Sequence, residues 1–398
     1  MIIKKIKANK IKNSRGEDAI KVEIKSDKTK AEASAPSGAS TGKHEIKAFT
    51  STPKEAADQI NKNKKLIGLE INSYQDLKKI EDELSYLGGN SVIATEYAAL
   101  KCIGPIWEQI NPNTRKLPKP LGNVIGGGRH FKGNCTEFQE FLLLPFTSKK
   151  LDDSILANNK IHELVKKNLK KVDHNFDDQM NDEGGWVTSL TNEDTLKFLK
   201  ETIKDADLKV KVKLGVDVAA SSFWNGKYYI YKDKKLTQEE QIEFISELIE
   251  KYDLQYVEDP LHEEDFEGFS KLTERFRNKC MIVGDDLTTT NVERLKKAIK
   301  LKSINAVIIK PNQIGSLIKT REVINLAKEN KITCIMSHRS GETLDASISQ
   351  LATGFEIPII KCGIYGKERV AKLKELKKIE QEMKLKNIKK INQRNIYI

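Results

Sequence analysis

From about residue 211 the chain alternates short apolar runs with amphipathic stretches. The runs KVKLGVD, LQYVED, MIVGDD, AVIIK, TCIMSHR and PIIK are strand candidates. Between them, residues 291–300 place Val292, Leu295, Ala298 and Ile299 on one helical face, and residues 368–383 do the same with Val370, Leu373, Leu376, Ile379 and Met383. Strand followed by helix, six times in succession, predicts a βα barrel. The first 120 residues read differently, as an α+β unit. Alternation over residues 19–24 predicts a strand, a Gly/Ser-rich turn follows at 37–42, and helical periodicity covers 54–66, 73–84 and 91–108. The Pro/Gly-containing run LPKPLGN marks a boundary. The expected division is an N-terminal domain over 1–120, a barrel domain over 121–383 and a Lys-rich tail over 384–398.

Each apolar run of the second part ends in charge. Asp217, Glu258, Asp285, Lys310, His338 with Arg339, and Lys361 follow one another at intervals of 41, 27, 25, 28 and 23 residues. In a barrel the carboxyl ends of the strands open onto one face, so residues distant in sequence converge there. Acids that merely cap the next helix would explain one or two of these positions. They do not explain Lys310 and Lys361, because a cation before a helix N-terminus is unfavourable.

Three carboxylates on one rim make an all-oxygen site suited to Mg²⁺, which commonly takes a few carboxylates together with water and substrate oxygens. Salt bridges to Lys310 and Lys361 are the plainer alternative, but three acids, two lysines and an arginine on one rim point to a site. A lysine acts as a base only when neutral, and nearby cations push its pKa down. A lysine base beside a divalent metal is the pairing that proton abstraction next to a carboxylate requires, since the enediolate formed is stabilised by the metal.

Composition narrows the class without deciding it. With 38% hydrophobic and 32% charged residues, the chain fits a globular protein and not a collagen-like or low-complexity one. No stretch approaches the roughly 20 apolar residues of a spanning helix, and MIIKKIKANK lacks the apolar core of a signal peptide. No membrane span and a cytoplasmic location are expected. The five cysteines form no CxxC pair and read as reduced packing thiols. The formal charge of +12 is spread over Lys-rich faces with no nucleic-acid-binding motif, so a nucleic-acid partner is not expected.

The segments KNSRGEDAIKVEI, PSGASTGKHE, LGNVIGGGRH, EFQEF, NDEGG, GVDVAASSFW, VEDP, VGDDLTTTN, IIKPNQIGSL, SHRSGET and IKCGIYGKERVAKLKEL, in this order, resemble the enolase family from about residue 11 to 383. The resemblance implies an α/β fold: a modified TIM barrel, ββαα(βα)6, after a smaller α+β domain. It implies a lyase that interconverts 2-phosphoglycerate and phosphoenolpyruvate in glycolysis and gluconeogenesis, with two Mg²⁺ per site and a homodimer or higher homo-oligomer. By the same resemblance Asp217, Glu258 and Asp285 hold the tighter Mg²⁺, and Ser40 contributes to the second. Lys310 matches the base at C2, Glu183 the acid at the C3 hydroxyl, and Glu140 its partner carboxylate. Arg339 and Ser340 match a phosphate-binding pair, while His130, His338 and Lys361 match further substrate contacts.

Several positions depart from the family pattern. Gly126 and Arg129 stand where Asn and Ala or Ser are usual, Asn181 where Gly is usual, and Asn13 and Glu17 where Asp and Asn are usual. Pro311 follows the lysine, and KCGIYGKER replaces a TGAP run. These departures leave two alternatives in view: an enolase-superfamily paralogue acting on another carboxylate, and a catalytically silent protein that binds nucleic acid or a surface through its basic tail.

Overall fold

The computed structural model describes residues 1–38 and 42–395, with side chains through residue 386. The chain opens with an antiparallel meander of β1 (Lys5–Lys12), β2 (Asp18–Lys25) and β3 (Lys30–Ala35). Alternation along β2 buries Ile20, Val22 and Ile24, and the sheet packs on helices Pro53–Lys62 and Gly89–Ile103. Helix Pro53–Lys62 starts where the sequence favours it: Thr52 and Glu55 form a reciprocal capping box, and proline occupies the first turn.

Eight strands then close a barrel: β4 (Lys119–Gly126), β5 (Glu140–Pro145), β6 (Val212–Asp217), β7 (Tyr256–Glu258), β8 (Met281–Gly284), β9 (Ala306–Ile309), β10 (Thr333–Ser337) and β11 (Ile359–Lys361). β5 runs antiparallel to both neighbours, β4 and β6, and all other pairings are parallel. Helices Leu151–Val172 and Asn192–Asp205 separate β5 from β6, and each later strand is followed by a helix. The topology is therefore ββαα(βα)6. The six serial runs correspond to β6–β11.

The run LPKPLGN is not only a linker, because β4 begins inside it. Lys119 N–H donates to Pro358 O at 2.8 Å, and Pro120 pairs in register with Ile360. A proline removes one donor but keeps its carbonyl and an extended φ, which a strand's first residues accommodate. The barrel interior is filled by a separate cluster that includes Leu121, Leu142, Leu144, Tyr256, Ile308 and Ile335. The last helix, Lys367–Asn395, runs into the tail, with Ile379 and Met383 packed against Trp107.

The N-terminal unit docks on the barrel's carboxyl rim. Ser37 and Gly341 exchange backbone hydrogen bonds of 2.9 and 2.8 Å, and Ser14 N–H donates to Glu342 O at 2.7 Å. The turn that makes the second contact contains two of the departures. Asn13 Oδ1 accepts from the N–H of Arg15 and Glu17, and its amide donates to Glu17 Oε2 at 3.1 Å.

Candidate active site

The rim of the barrel brings together every described residue that the sequence singled out. Asp217, Glu258 and Lys361 are the last residues of β6, β7 and β11, and Asp285 and Lys310 directly follow β8 and β9. Glu140 reaches the same rim from the first residue of β5, because that strand runs the other way and pairs in register with Asp217. Ser340, Arg339 and His338 lie in the turn after β10. Glu140, Glu183, His130, Asp217, Lys310, His338, Arg339, Ser340 and Lys361 line one cleft. Ser40 lies outside the described residues.

Lys361 is at the centre of the charge. Its ammonium lies 2.8 Å from Glu258 Oε2, 2.9 Å from Asp217 Oδ2 and 3.2 Å from Glu140 Oε1. All four side chains are buried. Burial pushes Glu258 up to about 8, with Asp217 adding repulsion. Glu140 is raised well above the usual range by burial and then by Glu183. Glu258 Oε1 and Glu140 Oε2 are buried with no hydrogen-bond partner among the described residues. Orphaned carboxylate oxygens beside Asp217 and Asp285 suit a hard divalent cation. Among the described residues, the acidic group gathered most tightly around Asp285 is a different one, Asp259 with Asp285 and Asp286, whose carboxylate oxygens lie within 4.8 Å of one another.

Lys310 contacts Asp285 Oδ2, and Gln313 donates to the other oxygen of Asp285 at 3.0 Å. Burial alone pushes this lysine down, but Asp285 and Glu258 together outweigh it and hold the ammonium at about 12. The sequence expectation of a depressed lysine pKa therefore depends on positive charge being added to these carboxylates. Pro311 has a clear local effect. Lys310 is extended, at φ −123° and ψ 95°, and Pro311 starts the single turn Pro311–Ile314.

Glu183 sits in a loop between the two helices that follow β5. Its Oε2 accepts from Asn123 at 3.3 Å and lies 3.3 Å from His338 Nε2; His130 Nδ1 is 3.9 Å from Oε1. Burial favours the neutral carboxyl, whereas cationic His338 and His130 would outweigh it and hold Glu183 well below the usual range. Burial, however, drives His338 down to about 4 and lowers His130 too. Burial thus favours neutral imidazoles and a protonated Glu183, while each charged partner favours the other's charge, so one proton is shared among the three groups.

Arg339 is 4% exposed and forms a two-pronged pair with Glu45 of the N-terminal unit, at 3.0 and 2.9 Å; its other arm donates to Asn312 Oδ1 at 3.0 Å. Its turn is braced by Glu342, which accepts from Arg339 N–H and Thr343 N–H and from Lys372 at 2.6 Å. Arg369 adds a bond of 2.7 Å to Ser340 O.

Several of these supports escaped sequence reasoning. Asp259 accepts the N–H groups of Asp285 and Asp286 and so shapes the loop carrying Asp285. The doubled acids in VEDP and VGDD were the available signal. Glu45, Glu342 and Lys372 lie inside segments that carry the resemblance, but neither spacing nor local pattern told them from surface charge, because their partners are set by the fold.

Fold and site together define a βα-barrel enzyme whose mouth pairs lysines with carboxylates beside a buried arginine. Residues 3–104 match the family described as Enolase, N-terminal domain, and residues 114–395 match Enolase, C-terminal TIM barrel domain. The chain is 40% identical over 406 residues to the enolase of Methanothermobacter thermautotrophicus, covering 96% of this chain and 97% of the relative. It is 39% identical to that of Archaeoglobus fulgidus, with 96% and 98% covered, and 40% identical to that of Pyrobaculum aerophilum, with 93% and 94% covered. The chain belongs to the enolase family, and is an enzyme of the lyase class. Neither alternative in view from the sequence finds support in these matches. No helix among the described residues is long and apolar enough to cross a membrane.

Proposed function

We infer that this chain catalyses the reversible dehydration of 2-phospho-D-glycerate to phosphoenolpyruvate and water. The observation that carries the reading is one cleft lined by a half-buried lysine, Lys310, a buried carboxyl, Glu183, and the buried cation Arg339. Neutral Lys310 takes the C2 proton, and the electron pair moves into the substrate carboxylate as an enediolate. Glu183 then gives its proton to the C3 hydroxyl, which leaves as water while the C2–C3 double bond forms. Glu140 is buried beside Glu183, and burial together with Glu183 raises it, so the two carboxyls disfavour being ionised at once. Arg339 and Ser340 take the phosphate, for which a planar guanidinium is well matched. His130 and His338 face the leaving hydroxyl through Glu183, and Lys361 neutralises the acids beneath the substrate carboxylate.

Asp217, Glu258 and Asp285 are the residues that would hold Mg²⁺, whose charge stabilises the enediolate and lowers the affinity of Lys310 for its proton. The reading extends to a second Mg²⁺ reached by Ser40, to a homodimer or larger homo-oligomer, and to glycolysis and gluconeogenesis in the cytoplasm. Family membership supports these points. The test is the ultraviolet rise of the enol product from 2-phosphoglycerate, with Mg²⁺ and with a chelator. Mg²⁺-dependent turnover that disappears in Lys310→Ala is expected. A folded, Mg²⁺-supplied protein without turnover would overturn the reading.

A further inference from the structure

Two of the departures from the family pattern, Gly126 and Asn181, are distant in sequence and meet beside Glu183. Asn181 Oδ1 accepts from the N–H of Glu183 at 3.1 Å and of Gly185 at 2.9 Å. Its own N–H donates to Gly185 O at 2.9 Å, and its carbonyl accepts from Gly184 N–H at 3.0 Å. One side chain thus ties down the backbone on both sides of the Glu183 carboxyl, as asparagine does in turns that it closes on itself. The amide nitrogen of Asn181 is buried without a hydrogen-bond partner among the described residues. It lies against Gly126: a Cβ added there would be 1.9 Å from it. The strand cannot withdraw easily, since Gly126 N–H donates to Trp186 O at 3.0 Å. Gly126 is absent from the left-handed residues, so it is space and not backbone conformation that demands glycine.

We propose that Asn181 is a positioning residue for Glu183, and that Gly126 is glycine because the Asn181 amide fills the space a side chain there would need. The two positions form one unit in which a side chain at either excludes a side chain at the other. The family pattern, with Asn at the first and Gly at the second, is the mirror arrangement of the same space. The proposal rests on the reading of Glu183 as the acid.

The test separates the step of Lys310 from that of Glu183. In Asn181→Ala, phosphoenolpyruvate formation should fall about 10- to 100-fold in kcat with KM changed by less than about twofold, the pattern of a misplaced catalytic group. Exchange of the C2 hydrogen with deuterated solvent should persist within about threefold of the natural protein, because that step belongs to Lys310. Asn181→Asp keeps the acceptor oxygen and should recover most of the lost kcat. Gly126→Asn should be impaired, and the exchanged pair Gly126→Asn with Asn181→Gly should regain activity and thermal stability over Gly126→Asn alone. Equal loss of exchange and dehydration in Asn181→Ala would overturn the proposal, as would an exchanged pair no better than Gly126→Asn. If Gly126→Asn does not fold, the Asn181→Ala comparison decides alone. A natural protein that forms no phosphoenolpyruvate would overturn the enolase reading instead, which keeps the two failures distinct.

Discussion

Lys361 binds three buried acids with a single ammonium, and removing it leaves Glu140, Asp217 and Glu258 facing one another. Breaking a buried ion pair from one side costs about 3–5 kcal/mol. Lys361→Met is therefore expected to unfold at markedly lower urea than the natural protein when a chelator is present. Mg²⁺ should narrow that gap, and urea titrations under both conditions measure it. Lys310 and Glu183 divide differently. Glu183→Gln keeps a polar side chain against Asn123 and His338 but has no proton to give, so dehydration should stop while C2 exchange continues. Lys310→Ala should abolish both, as isotope exchange followed by NMR would reveal.

The helix Leu317–Glu329 follows closely after Lys310, and its start is clamped by acids from the N-terminal unit. Glu96 Oε2 accepts Leu317 N–H at 3.0 Å, Glu81 accepts the Ser316 hydroxyl, and Tyr74 donates to Leu317 O at 2.7 Å. Burial, then Glu81, raises Glu96 well above its ordinary value of 4.5. A carboxyl raised in the folded state binds more protons there than in the unfolded chain. Its contribution is present below about 4.5 and is lost as pH climbs toward the folded value. Glu96→Gln keeps the acceptor and removes the titration, so the Tm of the variant relative to the natural protein should rise between about pH 5 and about pH 9. No change in that difference across the range would mean that Glu96 does not titrate in this way.

At this same scale lies the boundary of what the sequence made legible. The strands β6–β11 announced themselves because each is an apolar run ending in a charge and separated by a helix's length of chain. β4 and β5 did not, because their carboxyl-rim residues sit at opposite ends of antiparallel strands, so no constant spacing links Glu140 to Asp217. Lys361 is readable as a rim residue by position. Its pairing with three acids is not, since those partners are set by barrel closure. Asn181 and Gly126 were visible only as separate oddities until folding placed them together.

The whole molecule joins its two units through the cleft. Glu45 grips Arg339, and the strand-like contact of Ser37 with Gly341 lies beside it. A ligand held only by the folded rim stabilises the entire assembly by mass action, about 2.7 kcal/mol at a hundredfold excess over Kd. Mg²⁺ is accordingly expected to raise the Tm of the natural protein, and Asp285→Asn should diminish that rise in a thermal scan. A loss of the increment shows that the ion binds the rim; an unchanged increment places it elsewhere. The connection between Lys361 and its acids also has a consequence for how the chain is made. Lys361 lies 144 residues after Asp217 and 103 after Glu258, and β11 must pair with β4 before the barrel is closed. On a ribosome, where synthesis proceeds from the N-terminus at about 5–20 residues per second, the acids emerge several seconds before their counter-charge exists. Nascent barrel strands must therefore wait, incompletely neutralised and with an open edge, until β11 and its lysine have been translated.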